Sequence, residues 1–357
     1  MKKKIGIIGQ FPPPMHGLAK ALDTLYNSYL GKTYDLEKFD ITDNNKFFKR
    51  LFQINRSNLD LYYLTISQSK LGNLRDLIIL KLVQMKKKKI IIHLHGGGFR
   101  NLLDNDFGSL QRKLNYNILG KVDCAIVLGE SLKSIFDDII DEDKIKVIKN
   151  CVDDEFVLEN NAFEEKIDKF EKKKVLNILY LSNFIEDKGY NDVLKIAKYI
   201  KDSEDSRFKF LFAGKFFHEK DKIEFFKYIN ENNLGNMVEY KGIVFGNDKK
   251  ELIKDSDYFI LLTRYRNEGQ PISIIEAAVN GLRIITTDHA GIMDILNYDE
   301  MIVCDKNRIA IEEIYSIIST EYNYRVQLSD LLKSNRIKVI EGFSEEMYLK
   351  GIDSVFK

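Results

Sequence analysis

Short apolar runs that end in glycine or a polar loop recur along the whole chain, and stretches of helical spacing separate them. In the first half they occupy 5–9, 59–64, 90–94, 124–128 and 144–148. Between them Leu18, Leu22, Leu25 and Tyr29 repeat at a helical period, and Ser131 opens a helix that runs to about Ile140. Runs this continuously apolar suit strands covered on both faces. Alternation of such strands with helices implies a parallel sheet with helices on both sides.

Around 153–174 the character changes to Glu, Lys and Asn with little β-propensity. This stretch reads as an interdomain linker, as a charged surface helix, or as both. The alternation then restarts, with strands at 175–181, 208–213, 237–240, 258–262 and 283–286. Helices fall at 191–199, 221–230, 249–254, 271–280, 308–319 and 326–340, with a last one within 343–357. Two doubly wound domains in tandem follow, and 357 residues exceed what one ordinary core takes. The boundaries expected are 1–155 and 156–342. In such sheets ligands bind beyond the carboxyl ends of the strands, so two facing sheets would border a cleft.

Charge narrows the function. Formal net charge is +1, which gives nucleic-acid binding no global support. Lys2-Lys3-Lys4 and Lys86-Lys87-Lys88-Lys89 are local exceptions. They read either as solvated edges and helix C-terminal cations, or as a basic patch for an anionic membrane surface. No apolar run reaches the ~18 residues of a membrane span, and the N-terminus lacks the pattern of a signal peptide. Cys124, Cys151 and Cys304 are isolated, which suggests a reducing cytoplasm and neither disulfides nor zinc.

The chemistry concentrates between Asp257 and Gly281. A strand leads into the polar loop Thr263-Arg264-Tyr265-Arg266-Asn267-Glu268-Gly269-Gln270. Pro271 suits a first helical position, and Gly281 suits the residue after a helix end. A helix N-terminus opening on a glycine loop at a strand's carboxyl end favours a phosphate. Ile272, Ile275 and Val279 form an expected buried stripe, with Glu276 on the same face. A carboxylate there needs hydrogen-bond partners. Ribose hydroxyls would serve, and so would a nearby Arg or Lys. Glu268 could meet sugar hydroxyls or simply be solvated.

The run Glu268-Gly269-Gln270-Pro271, followed by Glu276-Ala277, resembles the donor-site signature of retaining GT-B glycosyltransferases of family 4, the group 1 glycosyltransferases. The resemblance implies that Glu268 contacts the donor sugar and Glu276 the nucleotide ribose, with Gly269, Gln270, Pro271 and Ile272 forming the rest of the donor loop. Further elements extend it. Ser182-Asn183-Phe184-Ile185-Glu186-Asp187-Lys188-Gly189 resembles the family's Gly-Arg-x-x-x-x-Lys-Gly element, whose Arg and Lys hold the donor diphosphate. Lys188 matches, whereas Asn183 replaces the arginine and supplies only a neutral hydrogen bond. Gly9-Gln10-Phe11-Pro12-Pro13-Pro14-Met15-His16-Gly17 resembles the family's first loop. Gly17 matches its phosphate-proximal glycine, and His16 stands where a second glycine is common. His93-Leu94-His95-Gly96-Gly97-Gly98 closes a strand, and His95 matches a family histidine that contacts the donor sugar. Stretches 122–130, 149–153 and 288–292 also resemble family positions and read mainly as scaffold.

The resemblance implies a GT-B α/β fold, two Rossmann-like domains, with the helix in 343–357 crossing back onto the first. It also implies sugar transfer from a nucleoside diphosphate sugar to an acceptor hydroxyl, with retention. Lys188, His95 and Glu268 are the expected catalytic set. No acidic triplet for a metal stands out, so no cofactor is expected beyond the donor itself. Expected partners are a saccharide or lipid-linked acceptor and an anionic membrane surface, in cell-surface polysaccharide or glycolipid assembly. A non-catalytic GT-B partner of a true transferase is the alternative, and Asn183 favours it.

Overall fold

The computed structural model describes residues 2–13 and 17–357. The chain forms two compact units. The first comprises Met1–Cys151, Asn267–Gln270 and Glu345–Lys357, the second Val152–Arg266 and Pro271–Ser344.

In the first unit, β1 (Lys4–Gly9), β2 (Asp35–Asp40), β3 (Leu61–Thr65), β4 (Lys89–His93), β5 (Cys124–Val127) and β6 (Ile145–Val147) pair in parallel in the order β2-β1-β3-β4-β5-β6. The order reverses between β1 and β3, which makes this the sheet's switch point. Helix α1 (Gly17–Tyr26) and the C-terminal helix Glu345–Phe356 place Leu22, Leu25, Tyr348 and Ile352 in one core with Ile5, Leu61, Tyr63 and Ile91. Helices α2 (Phe47–Arg56), α3 (Lys70–Met85) and α4 (Ser109–Leu119) are the crossovers β2–β3, β3–β4 and β4–β5. They lie side by side, α2 against α3 and α3 against α4.

Strand β2 was not legible because DLEKFD is an edge strand whose charges sit in solvent. The expected helix from Ser131 to Ile140 is instead a 3₁₀ segment, Glu130–Phe136, and Asp138 with φ +64° stops it. The lysine runs serve helix ends. Lys86 Nζ donates to the α2 carbonyls of Ile54 and Asn55 at 2.7 and 2.8 Å. Lys3 and Lys89 reach the last carbonyls of the C-terminal helix, at Phe356 and Val355. These cations complement the negative helix end.

In the second unit, β7 (Leu176–Leu181), β8 (Phe208–Ala213), β9 (Val238–Tyr240), β10 (Tyr258–Leu261), β11 (Arg283–Thr287) and β12 (Ile302–Cys304) pair in the order β12-β11-β10-β7-β8-β9. Its switch point lies between β7 and β10. Stretch 153–174 carries α5 (Asn160–Lys172), whose Phe163, Ile167 and Phe170 are buried in this unit's core, so most of the expected linker is a packed amphipathic helix. Helices α6 (Tyr190–Asp202), α7 (Glu219–Glu231), α8 (Gly246–Asp255), α9 (Ile272–Val279), α10 (Ile311–Asn323) and α11 (Arg325–Phe343) complete it. Strand β12, three residues long, escaped the sequence reading.

Candidate functional site

The second unit's switch point presents the loops after β7 and β10, and both carry sequence-identified motifs. They are joined by backbone contacts. Arg264 N donates to Asp187 O at 2.7 Å, and Gly189 abuts Leu262. A Cβ on Gly189 would stand 2.2 Å from Leu262 O, at a φ of +79° that side chains rarely adopt, so glycine is required there. Lys188 Nζ lies 5.1 Å over the Tyr265 ring. Asn183 is exposed and its carbonyl accepts from Tyr180 Oη at 3.1 Å.

Three side chains given no role from the sequence, Arg264, His289 and Thr287, fix the β10 loop. Arg264 Nη1 holds Asp192 of α6 at 2.8 Å. His289 Nε2 lies 2.8 Å from Tyr265 O, and Thr287 Oγ1 donates to Thr263 O.

Helix α9 follows this loop. Pro271, expected at the first helical position, is instead the N-cap, and Ile272 opens the helix. The expected stripe is wider than read. Ile272 is partly exposed, whereas Ile274 through Val279 are all buried, because α11 covers the side away from the sheet. Gly281 follows with φ +72°.

Glu276 is buried, and Lys249 of α8 supplies its partner, Nζ to Oε1 at 2.6 Å. That ammonium also sits 4.2 Å over the Phe156 ring. Burial raises the Glu276 carboxyl above the ordinary range, and Lys249 opposes the shift. Of the two partner chemistries left open by the spacing, the lysine is thus built into the fold.

The first unit gathers the other candidates around the end of β4. The segment Asn267–Gln270 belongs here. Gly97 N donates to Glu268 O at 2.6 Å. Asn150 grips Gln270 twice, N to Oε1 at 2.9 Å and Nδ2 to O at 2.8 Å. Gly96 and Gly269 permit the approach. Added Cβ atoms would meet Asn267 O at 2.6 Å and His95 O at 2.7 Å. Gly96 and Gly97 are therefore a docking surface for the Glu268 loop, while Gly98 N–H donates to Gln68 Oε1 at 2.6 Å. Asn150, within a stretch read mainly as scaffold, is the clamp.

Behind this loop the Tyr63 hydroxyl lies 2.5 Å from His93 Nδ1, and the His93 and His95 rings lie 3.9 Å apart with their planes tilted by 33°. Tyr63 also meets Tyr348 of the C-terminal helix. Burial pushes the His93 imidazole well below its usual range, and His95 down to about 3, even with an opposing hydrogen bond from Asn150. His95 is therefore neutral near pH 7, suited to hydrogen-bonding a hydroxyl and not to neutralising phosphate. The Nε2 atoms of both rings and Nε2 of Gln270 are buried without a protein partner.

The first unit thus brings together His95, Glu268, Gly269 and Gln270. Gly17 opens α1 after β1 and is exposed. Pro14, Met15 and His16 lie outside the described residues. The second unit carries Asn183 and Lys188 after β7, and Pro271, Ile272 and Glu276 on the element after β10.

Residues 160–330 match the family model described as glycosyl transferases group 1. An uncharacterized 41.2 kDa protein in the cps region of Klebsiella pneumoniae is 26% identical over 62% of this chain and 59% of its own. The N,N'-diacetylbacillosaminyl-diphospho-undecaprenol alpha-1,3-N-acetylgalactosaminyltransferase of Campylobacter jejuni is 29% identical over 31% of this chain and 29% of its own. The matches thus span less than two thirds of either relative. The crystal structure of Anabaena Alr3699/HepE in complex with UDP superposes with a TM-score of 0.76 at 14% identity, covering 99% of both chains. The same architecture recurs in solved glycosyltransferases.

The chain has the GT-B fold of these structures, and the family match covers just under half of its length.

Proposed function

We propose that the chain transfers a sugar, with retention, from a nucleoside diphosphate sugar to an acceptor hydroxyl. The observation that carries this reading is the second unit's switch point, where the loops after β7 and β10 meet with Lys188 over Tyr265, and the chain after β10 goes on to open α9 at Ile272. In doubly wound sheets this is where nucleotides bind. Lys188 and the N–H groups of Ile272 and Ser273 stabilise the charge that develops on the leaving diphosphate. Glu276, fixed by Lys249, accepts hydrogen bonds from the ribose hydroxyls. Glu268 and the neutral His95 orient the donor sugar, and the leaving diphosphate takes the acceptor's proton. Asn183 leaves the diphosphate partnership one charge weaker than the family pattern.

The group 1 domain, the cps-region relative and the undecaprenol-linked substrate in the second relative's name favour a saccharide or lipid-linked saccharide acceptor. On this reading the chain works in cell-surface polysaccharide or glycolipid assembly, peripheral to the cytoplasmic membrane face. No helix among the described residues is long and apolar enough to cross a membrane.

Slow donor hydrolysis by the purified chain tests catalysis without knowledge of the acceptor. Glu268→Ala should lower it by about 10²–10³-fold, as loss of one positioned polar contact does, with the melting temperature held. No hydrolysis or transfer by the wild-type chain with any donor would contradict the reading. Given the exposed Asn183, that outcome would favour a non-catalytic partner instead.

A further inference from the structure

Helices α2, α3 and α4 form an outer face whose composition departs from the rest of the chain. Each carries a solvent-facing apolar row at helical spacing. On α2 these are Phe48 and Phe52, on α3 Leu71, Ile78 and Met85, and on α4 Leu110 and Leu114. Exposures reach 80% at Phe48 and Leu71 and 71% at Met85 and Leu110, far more than isolated surface apolar residues need. Lysines share these rows, with Lys49 beside Phe48, Lys81 one turn from Ile78 and Met85, and Lys113 one turn from Leu110. The chain holds 54 acidic residues, yet these three helices hold one, Asp76, which is buried and paired to Arg75 at 3.0 Å. Of the carboxylates that flank these helices, Asp43 and Asp104 pair with Lys46 and Arg100, Asp60 and Asp123 accept from the backbone N–H groups of Lys4 and Ile90, and Asp106 precedes α4.

We infer that this face is a docking surface for an anionic lipid bilayer. Exposed aromatic and aliphatic side chains enter the interface while the lysines among them meet acidic head groups. Charge complementarity selects this occupant. A second copy packing the same face on itself would oppose lysines to lysines with no acidic row to match them. The surface is distinct from the lysine runs at 2–4 and 86–89, several of whose ammonium groups are spent on helix ends. The inference needs no part of the proposed transfer, so vesicle binding and donor turnover fail or hold separately.

The test is co-sedimentation of the full chain with phosphatidylglycerol–phosphatidylcholine vesicles and with phosphatidylcholine alone, at low and high salt. Binding should require phosphatidylglycerol and weaken with salt. The triple variant Lys49→Glu, Lys81→Glu, Lys113→Glu should bind more weakly by on the order of fivefold or more per lysine. The triple variant Phe48→Ser, Ile78→Ser, Leu110→Ser should also lose most binding. Both should melt as the wild type does, since every altered side chain is exposed. Absence of wild-type binding, equal binding to neutral vesicles, or variants that bind as the wild type does would each overturn the inference. So would self-association by light scattering that the apolar variant abolishes while vesicles stay unbound.

Discussion

Lys249→Met should destabilise the folded chain by about 3 kcal/mol at pH 8, measured by urea unfolding. The substitution leaves the Glu276 carboxylate buried without its cation, and breaking one side of such a pair costs about 3–5 kcal/mol. The lower end applies because the lysine is 20% exposed. The loss should shrink as pH falls. Burial already raises the Glu276 carboxyl, and removing Lys249 raises it further, so at mild acid the group folds neutral and needs no partner. Adding Glu276→Gln should restore most of the stability, because a neutral amide no longer demands a cation. A loss that is flat between pH 5 and 8, or no rescue by the glutamine, would show that Lys249 acts through packing on Phe156 alone. Nucleotide affinity should fall in Lys249→Met too, since Glu276 loses the contact that orients it.

Acid should unfold the chain through His93 and His95. Both imidazoles are held neutral in the folded state, with lowered pKa values caused chiefly by burial. Below about pH 6.5 the unfolded chain takes up protons there that the folded chain refuses. Their contribution is therefore fully present above pH 6.5 and is lost as pH falls through the range down to about 3 at His95. Each histidine held neutral costs about 1.4 kcal/mol per pH unit over that range. Asp76, Asp257 and Glu276 have raised values and act in the opposite direction, so the comparison must be internal. The double variant His93→Asn, His95→Asn should lose less stability between pH 7 and 5 than the wild type. Equal losses would mean that the paired rings titrate normally.

Most of the fold was legible because buried parallel strands announce themselves as apolar runs. Strands β2 and β12 were not, one because its edge position keeps charged residues, the other for its length. That the motifs around Lys188, His95 and Glu268 lie on loops after strands could be read from chain order alone. What could not be read were partners distant in sequence. The spacing of Ile272, Glu276 and Val279 showed that a carboxylate would be buried, yet nothing in it pointed to Lys249, 27 residues earlier. Asn150 and Gln270 are 120 residues apart, and their double hydrogen bond is a product of packing. The glycines after His95 were visible as a loop, but their purpose appears only with the carbonyls of Asn267 and Glu268 set against them. Helix α9 misled the periodic reading because a helix covered on both sides has no polar face to mark its orientation.

The central claim is that the second unit's switch point binds a nucleoside diphosphate. Thermal unfolding of the wild-type chain with uridine, guanosine, adenosine, cytidine and thymidine diphosphates tests it most directly. One of them, or its sugar, should stabilise the fold by about 2.7 kcal/mol at a hundredfold excess over its Kd, and Lys188→Ala should remove most of that gain without lowering the midpoint of the free chain. A midpoint that no nucleotide moves, or a gain that persists in full without Lys188, would contradict the assignment.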